Sequence, residues 1–345
     1  MNRSSSPLWE LTRARVVEFL REPEAIFWVF IFPVLLAGGL GIAFRNRPAE
    51  SLRIGVADGP GAAALAARLD SFPALRAFPM TPAEAADELR TGKLALVVVP
   101  GDSVTYVFDP TRSEGQLARR VVDDALQRAA GRADPRVVSE RHLTEPGSRY
   151  IDFLIPGLLG LNLMGSGMWG IGFNIVQARR KRLLKRLLAT PMRKSHYLLS
   201  YGLSRFVFMI LEVAALVGFG WVVFDVRVHG SIFDLLIVSV VGALAFAGLG
   251  LLTASRAQTV EGVSGIMNFV MLPMWIFSGV FFSYARFPDA LQPLIQTLPL
   301  TPLLDALRSV MIDGAPLSAN LARLAVVAAW GVASFGAAVK IFRWN

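Results

Sequence analysis

The sequence predicts an α-helical polytopic membrane protein: six transmembrane helices, with a small α/β extracytoplasmic domain between helices 1 and 2. Three observations carry that prediction. The chain's 345 residues are 54% hydrophobic and only 18% charged, with mean hydropathy +0.50, whereas soluble domains carry charge on about a quarter of their residues. Six apolar runs each reach the roughly 20 residues that a helix needs to cross a hydrocarbon core. Between the first two runs lies Arg45 to Arg149, where charge is frequent and no segment is long enough to span.

Residues 1–24 read as a cytoplasmic interfacial helix. Leu8, Leu11, Val16, Phe19 and Leu20 form an apolar arc, with Glu10, Arg13, Glu18 and Arg21 opposite and Arg15 interrupting the pattern. Glu22-Pro23-Glu24 ends it. The first span covers residues 25–44, too long for a cleavable leader and followed by no small-x-small site. Pro33 and the Gly38-Gly39-x-Gly41 cluster imply a kink and close helix packing.

Residues 45–150 are the α/β domain. Leu52 to Ala57 alternates like a strand, and Leu94 to Val99 and Val104 to Phe108 are further runs of β-formers. Gly61 to Leu69, Glu84 to Arg90 and Glu114 to Ala130 read as helices. Strands alternating with helices point to a layered α/β unit.

Residues 151–345 return to the membrane, with spans at Phe153 to Val176, Tyr197 to Phe224, Ile232 to Leu252, Val260 to Phe282 and Leu321 to Phe342. Between the second and third spans, residues 177–194 carry eight basic residues and no acidic one. On a helix, Leu183, Leu184, Leu187 and Leu188 share one arc and Arg179, Lys181, Arg182, Lys185 and Arg186 the opposite one, with Arg180 the one intruder, until Thr190-Pro191 terminates it. This basic helix either holds its loop on one side by charge or offers a surface on which another protein pushes. Residues 285–318 are too polar to span and too apolar for an ordinary loop. Leu291 to Leu298 and Leu303 to Met311 read as short helices separated by Pro299 and Pro302, suited to an outer re-entrant position buried in protein. Asp305 and Arg308, three apart, are placed to pair on one face.

Charge bias sets the topology. The basic N-terminus, the 177–194 loop and the Lys340/Arg343 tail fall on one side, as expected of a cytoplasm, so both termini are cytoplasmic and the α/β domain lies outside. The net charge of +9 thus points to a lipid bilayer. Nucleic acid is not an expected partner, since no basic aromatic platform is present. The chain has no cysteine, which excludes disulfides and zinc thiolate sites, and His142, His196 and His229 show no metal-ligand spacing.

No G-x-x-x-x-G-K-[ST] loop occurs, and no catalytic carboxylate pair or Ser/His/Asp arrangement sits at a span end. The chain is therefore not expected to be an enzyme, nor to carry a cofactor or metal. Ionisable residues inside spans are the best pointers to function; only Arg205 and Glu212 qualify, seven apart on one helix face, and could form a long, weak pair. Asn162, Trp169, Phe173, Asn268, Met271 and Trp275 are candidates for a greasy substrate pathway, and equally for packing. A charge-poor interior suits an apolar or amphipathic cargo.

Three stretches carry a resemblance to the membrane permease subunits of ABC-2 type exporters: REPEAIFWVFIFP in the first span, RRKRLLKRLLATPMRKSHYLLS after the second, and LPMWIFSGVFFSYARFP…LPLTPLLDALRSVMIDG around the fifth. The order of elements resembles the branch with a large extracytoplasmic insert. The resemblance implies an ABC ATPase on a separate chain, holding ATP and Mg. It implies a second permease copy, identical or paralogous, pairing around the pathway, in a bacterial-type inner (plasma) membrane. It also implies that the 177–194 loop is the coupling helix: Leu183, Lys185, Arg186, Leu187, Thr190 and Pro191, with Arg182 beside them, fall on the family's K-R-L-x-x-T-P-like stretch. Many members carry a glutamate and a glycine just before it, where this chain has Arg180 to Leu184. Pro299, Pro302, Asp305, Arg308 and Gly314 would belong to the outer re-entrant element. The competing expectation is a membrane-anchored receptor or assembly protein whose outer domain binds a ligand.

Overall fold

The computed structural model describes residues 7–44, 51–101, 103–132, 149–180 and 194–341. The chain divides into two units, Met1–Arg45 with Leu143–Asn345, and Asn46–His142.

The first unit is helical. It begins with α1 (Pro7–Leu20) and α2 (Pro23–Ala43), and resumes with α6 (Tyr150–Arg180), α7 (Lys194–Phe224), α8 (Ile232–Ala254) and α9 (Val260–Phe277). Two short helices follow, α10 (Gln292–Thr297) and α11 (Leu300–Met311), then α12 (Leu321–Ile341). Among the described residues, six helices are long and apolar enough to cross a membrane: α2, α6, α7, α8, α9 and α12. They differ in position. In its most apolar window α6 is 72% buried, against 22% for α9 and for the sixth span, so α6 is the post around which the bundle is built. Leu154, Ile155, Leu158, Leu159, Leu163 and Met164 supply its buried surface.

The fifth span ends at Phe277, five residues before the expected Phe282. Ser278 caps it, and Gly279 turns the chain in a left-handed conformation (φ +85°) that a side chain resists. Pro302 does not separate two helices as the sequence suggested. Pro299 is the N-cap of α11, which puts Pro302 in the first turn, where a missing N–H costs no helical bond. All but Asp305 and Arg308 of the residues in α11 are buried, so its surroundings are protein.

α1 also departs from expectation. Thr12 is 4% exposed while Leu20 is 57% exposed, so the packed face is not the apolar arc alone. Arg15, the interruption in that arc, donates from Nε to Ser200 Oγ of α7 at 3.0 Å, and Phe19 stacks on Phe208 with ring centroids 4.2 Å apart.

The second unit is a four-stranded sheet, β1 (Leu52–Ala57), β2 (Leu75–Met80), β3 (Leu96–Val99) and β4 (Thr105–Val107), in the order β2-β1-β3-β4. The first three are parallel and β4 is antiparallel to β3. Helices α3 (Ala62–Asp70) and α5 (Ser113–Ala129) contribute to one core with Ile54, Val56, Leu96 and Val98. α4 (Pro82–Arg90) supplies Ala85 to a second core with Ala57, Leu94 and Val97. Covered on both faces, β3 needs a continuous apolar run, and that is why LVVV does not alternate. β2, which the sequence reading missed, is an edge strand carrying Pro79, a position where the absent donor is tolerated.

Candidate functional site

Among the described residues of the membrane unit, two clusters of polar groups are built around an arginine inside the helix bundle. The first joins α2, α6 and α7. Arg205 and Glu212 lie seven residues apart on α7, about 10.5 Å along the axis, yet their long side chains meet. Arg205 Nη1 donates to Glu212 Oε1 at 2.6 Å and Nη2 to Oε2 at 3.2 Å, with side-chain exposures of 10% and 0%. The expected long, weak pair is a close bidentate one. Ser166 of α6 completes it: its Oγ accepts from Arg205 Nη2 at 2.5 Å, and its single proton serves either Glu212 Oε2 at 3.1 Å or the Asn162 carbonyl at 2.5 Å. Arg205 Nε is buried with no hydrogen-bond partner among the described residues.

Asn162 extends this network to the first span. Pro33 has no N–H to return to the Val29 carbonyl four residues earlier, and the helix loosens into a π turn over Phe27–Ile31. Asn162 Nδ2 donates to that carbonyl at 3.0 Å. The amide thus satisfies a backbone group that no water could reach in a bilayer.

The second place lies where α11 meets the start of α6 and the loop after α9. Arg308 does not pair with Asp305, as the spacing suggested. Its Nη2 donates to the Gly279 carbonyl at 2.5 Å and Nε to that of Phe153 at 3.5 Å. The guanidinium lies 3.6 Å from the centroid of the Phe153 ring. Gly157 makes this approach feasible, since a Cβ there would collide with the Val280 carbonyl and press on Arg308. Asp305 instead accepts from Tyr284 Oη at 3.3 Å. Gly314 turns at φ +66° against His229.

Of the pathway candidates, Met271 is 2% exposed and belongs to the core. Trp169 and Phe173 are half-buried, whereas Asn268 and Trp275 are exposed on α9. Asn268 shares its face with exposed Glu261, Gly265 and Leu272, at a helical spacing of three to four residues. On α6, Gly170 and Asn174 are exposed too.

The coupling candidates Arg182, Leu183, Lys185, Arg186, Leu187, Thr190 and Pro191 lie outside the described residues. Their approach is visible. Arg179, expected on the basic arc, donates from Nη1 to the Ala254 and Ala257 carbonyls at 3.3 and 2.6 Å, and from Nη2 to Ser255 O at 3.3 Å. It caps the end of α8, where a cation offsets the orphan carbonyls.

Sequence reasoning missed two partners. Ser166 gave no signal of its own beyond a hydroxyl inside a span. Arg149 was legible only as an Arg-x-x-Asp start to the second span: it grips Asp152 at 2.8 Å and donates from Nη1 to the Phe224 carbonyl at 2.9 Å. The Asp152 carboxylate raises the Arg149 pKa above its ordinary value. Among the described residues no group of three or more His, Cys, Asp or Glu is placed to hold a metal.

The arrangement is a set of packed spans with buried polar clamps. Comparison with known proteins gives its relations. The profile of the ABC-2 family transporter proteins matches residues 23–340. The chain is 27% identical over 165 residues to the inner membrane transport permease YadH of Escherichia coli, covering 47% of this chain and 63% of YadH. It is 22% identical over 183 residues to the linearmycin resistance permease protein LnrN of Bacillus subtilis, covering 51% of this chain and 46% of LnrN. ABC transporter G family member 20 of Dictyostelium discoideum is 27% identical over 207 residues, 59% of this chain and 28% of that protein. The chain therefore spans less than two thirds of the length of these relatives.

Proposed function

The chain belongs to the ABC-2 transporter family, and we propose from that premise that it is the permease half of an ATP-driven exporter. As a family member it is a transmembrane subunit of an ABC transporter, multi-pass in its membrane, and not itself the ATPase. Beyond that, we read ATP and Mg as held by a separate ABC ATPase docking at the 177–194 loop. Two permease copies, identical or paralogous, enclose the pathway. The termini are cytoplasmic and the α/β domain is outside.

One observation carries the pathway reading. On α9, Glu261, Gly265, Asn268 and Trp275 form an exposed stripe on a helix long and apolar enough to cross a membrane. An amide facing lipid is costly, and small and polar residues belong at helix–helix seams or wet cavities. Facing a second copy across a pathway, the same stripe has polar neighbours. Gly170 and Asn174 on α6 are also exposed and extend this polar lining. The cargo we infer is hydrophobic or amphipathic, in the class of drugs or lipids, and the name of LnrN, a permease of linearmycin resistance, supports a drug.

The test is co-purification of the full chain with soluble proteins of its host, a search for an associating ABC ATPase, and ATP hydrolysis by the recovered complex in lipid nanodiscs. Charge reversal at Lys185 and Arg186 is expected to abolish the hydrolysis that the permease stimulates while the chain remains in the membrane. Absence of any associating ATPase overturns the exporter reading. Unchanged hydrolysis in the charge-reversed variant overturns the assignment of the coupling helix.

A further inference from the structure

α1 rests on the first half of α7, held by Arg15 on Ser200 and Phe19 on Phe208. Beside these contacts an apolar cleft of about 240 Å³ opens between the two helices, lined by Leu8, Gly202, Leu203 and Phe206.

Gly202 makes no close helix contact with any described residue. A Cβ at Gly202 meets nothing within 4 Å, whereas one at Gly172 runs into Met267. Gly202 therefore widens a space that no described residue fills. Water is a poor occupant, because a buried water needs about two to four polar partners, and the lining side chains carry neither donor nor acceptor. The cleft also continues onto a stripe of α7 exposed at helical spacing: Leu203, Phe206, Val207, Ile210 and Leu211, 38–47% exposed. In a bilayer that stripe meets hydrocarbon, so the cleft opens onto the acyl region. Its volume is below the roughly 300–1,000 Å³ of pockets that enclose a drug-sized ligand, which fits a single flexible chain better than a fused-ring cargo.

We propose that this cleft is a lipid site: an acyl chain of a bilayer phospholipid seated between the interfacial helix α1 and the third span. The lipid completes the seam that Arg15 and Phe19 hold at one side. This site is separate from the exposed α9 stripe, and it stands whether or not the chain exports.

Native mass spectrometry of the full chain, released from membranes of phosphatidylethanolamine and phosphatidylglycerol, tests it. The wild type should retain one phospholipid per chain. Gly202→Leu, which fills the cleft with the chain's own carbon, should lose it, while Gly218→Leu on the same helix should keep it. Equal retention in all three overturns the proposal. Should Gly202→Leu not reach the membrane, p-benzoylphenylalanine in place of Leu203 decides. Illumination should yield an adduct that a phospholipase trims; an adduct to a second copy of the chain, or to another protein, overturns the proposal.

Discussion

Arg205 and Arg308 are both arginines held inside the membrane unit, and they are accommodated in opposite ways. Arg205 meets a carboxylate in bidentate contact, with a serine from the next helix filling in. Arg308 has a carboxylate one turn away and makes no direct bond to it, taking two carbonyls and an aromatic face. The difference follows from what each clamp has to join. Arg205 and Glu212 lie on one helix, and their pair presents a neutral unit against α6. Arg308 reaches out of α11 to the turn at Gly279, whose free carbonyl needs a donor, and to the first turns of α6. A neutralised pair tolerates a buried setting; a guanidinium on carbonyls keeps its charge and ties three backbone segments together.

Removing one partner should cost most where the charges cancel. Glu212→Ala leaves Arg205 unneutralised and should destabilise the chain by about 3–5 kcal/mol, whereas Arg205→Met with Glu212→Leu should return close to wild type. Thermal unfolding of the purified chain in detergent reads both, and a harmless Glu212→Ala would dissolve the contrast. Next, Arg308→Met should cost about 2–3 kcal/mol, the scale of a desolvated cation–π contact with charged hydrogen bonds. Arg308→Lys should recover little, because an ammonium lacks the fork that spans both carbonyls. A double-mutant cycle between Asp305→Asn and Arg308→Met should give a clearly smaller coupling than the Arg205–Glu212 cycle, since the first pair acts only through space. Equal couplings would mean that the two sites work alike.

Smaller effects refine the picture. Asn162→Leu should cost about 1 kcal/mol, within the range of interhelical hydrogen bonds in membranes; amide hydrogen exchange around Pro33 should rise at the same time. The least effect is expected of Tyr284→Phe, which removes a 3.3 Å bond to Asp305 and should shift stability by about 0.5 kcal/mol.

Span positions and the alternation of strands with helices were legible because burial in lipid or between layers imposes long apolar runs or apolar β-formers. β2 was not, since LRAFPM neither alternates cleanly nor avoids proline, and only its place at the sheet edge excuses Pro79. Of the two expected charge pairs, Arg205 with Glu212 formed and is closer than expected, whereas Asp305 with Arg308 makes no direct bond. Spacing alone favoured Asp305 with Arg308 over Arg205 with Glu212, because sequence shows how far apart two residues sit and not what else competes for their atoms. The Gly279 carbonyl and the Phe153 ring are such competitors, and neither is visible as one before the fold brings it to Arg308. The pathway candidates split for a related reason: Asn268 and Met271 are three residues apart on one helix, yet one is exposed and the other in the core.

The bond from Asn162 to the Val29 carbonyl has a bearing on how the chain is made. Its two ends are 133 residues apart, so at about 5–20 residues per second the first span waits roughly 7 to 27 s for its partner. Throughout that interval a proline-freed carbonyl sits in the bilayer without its final donor. The first span is thus born unfinished, its kink open to other donors until the second span arrives, and any quality-control protease or insertase that senses exposed polar backbone has that window in which to act.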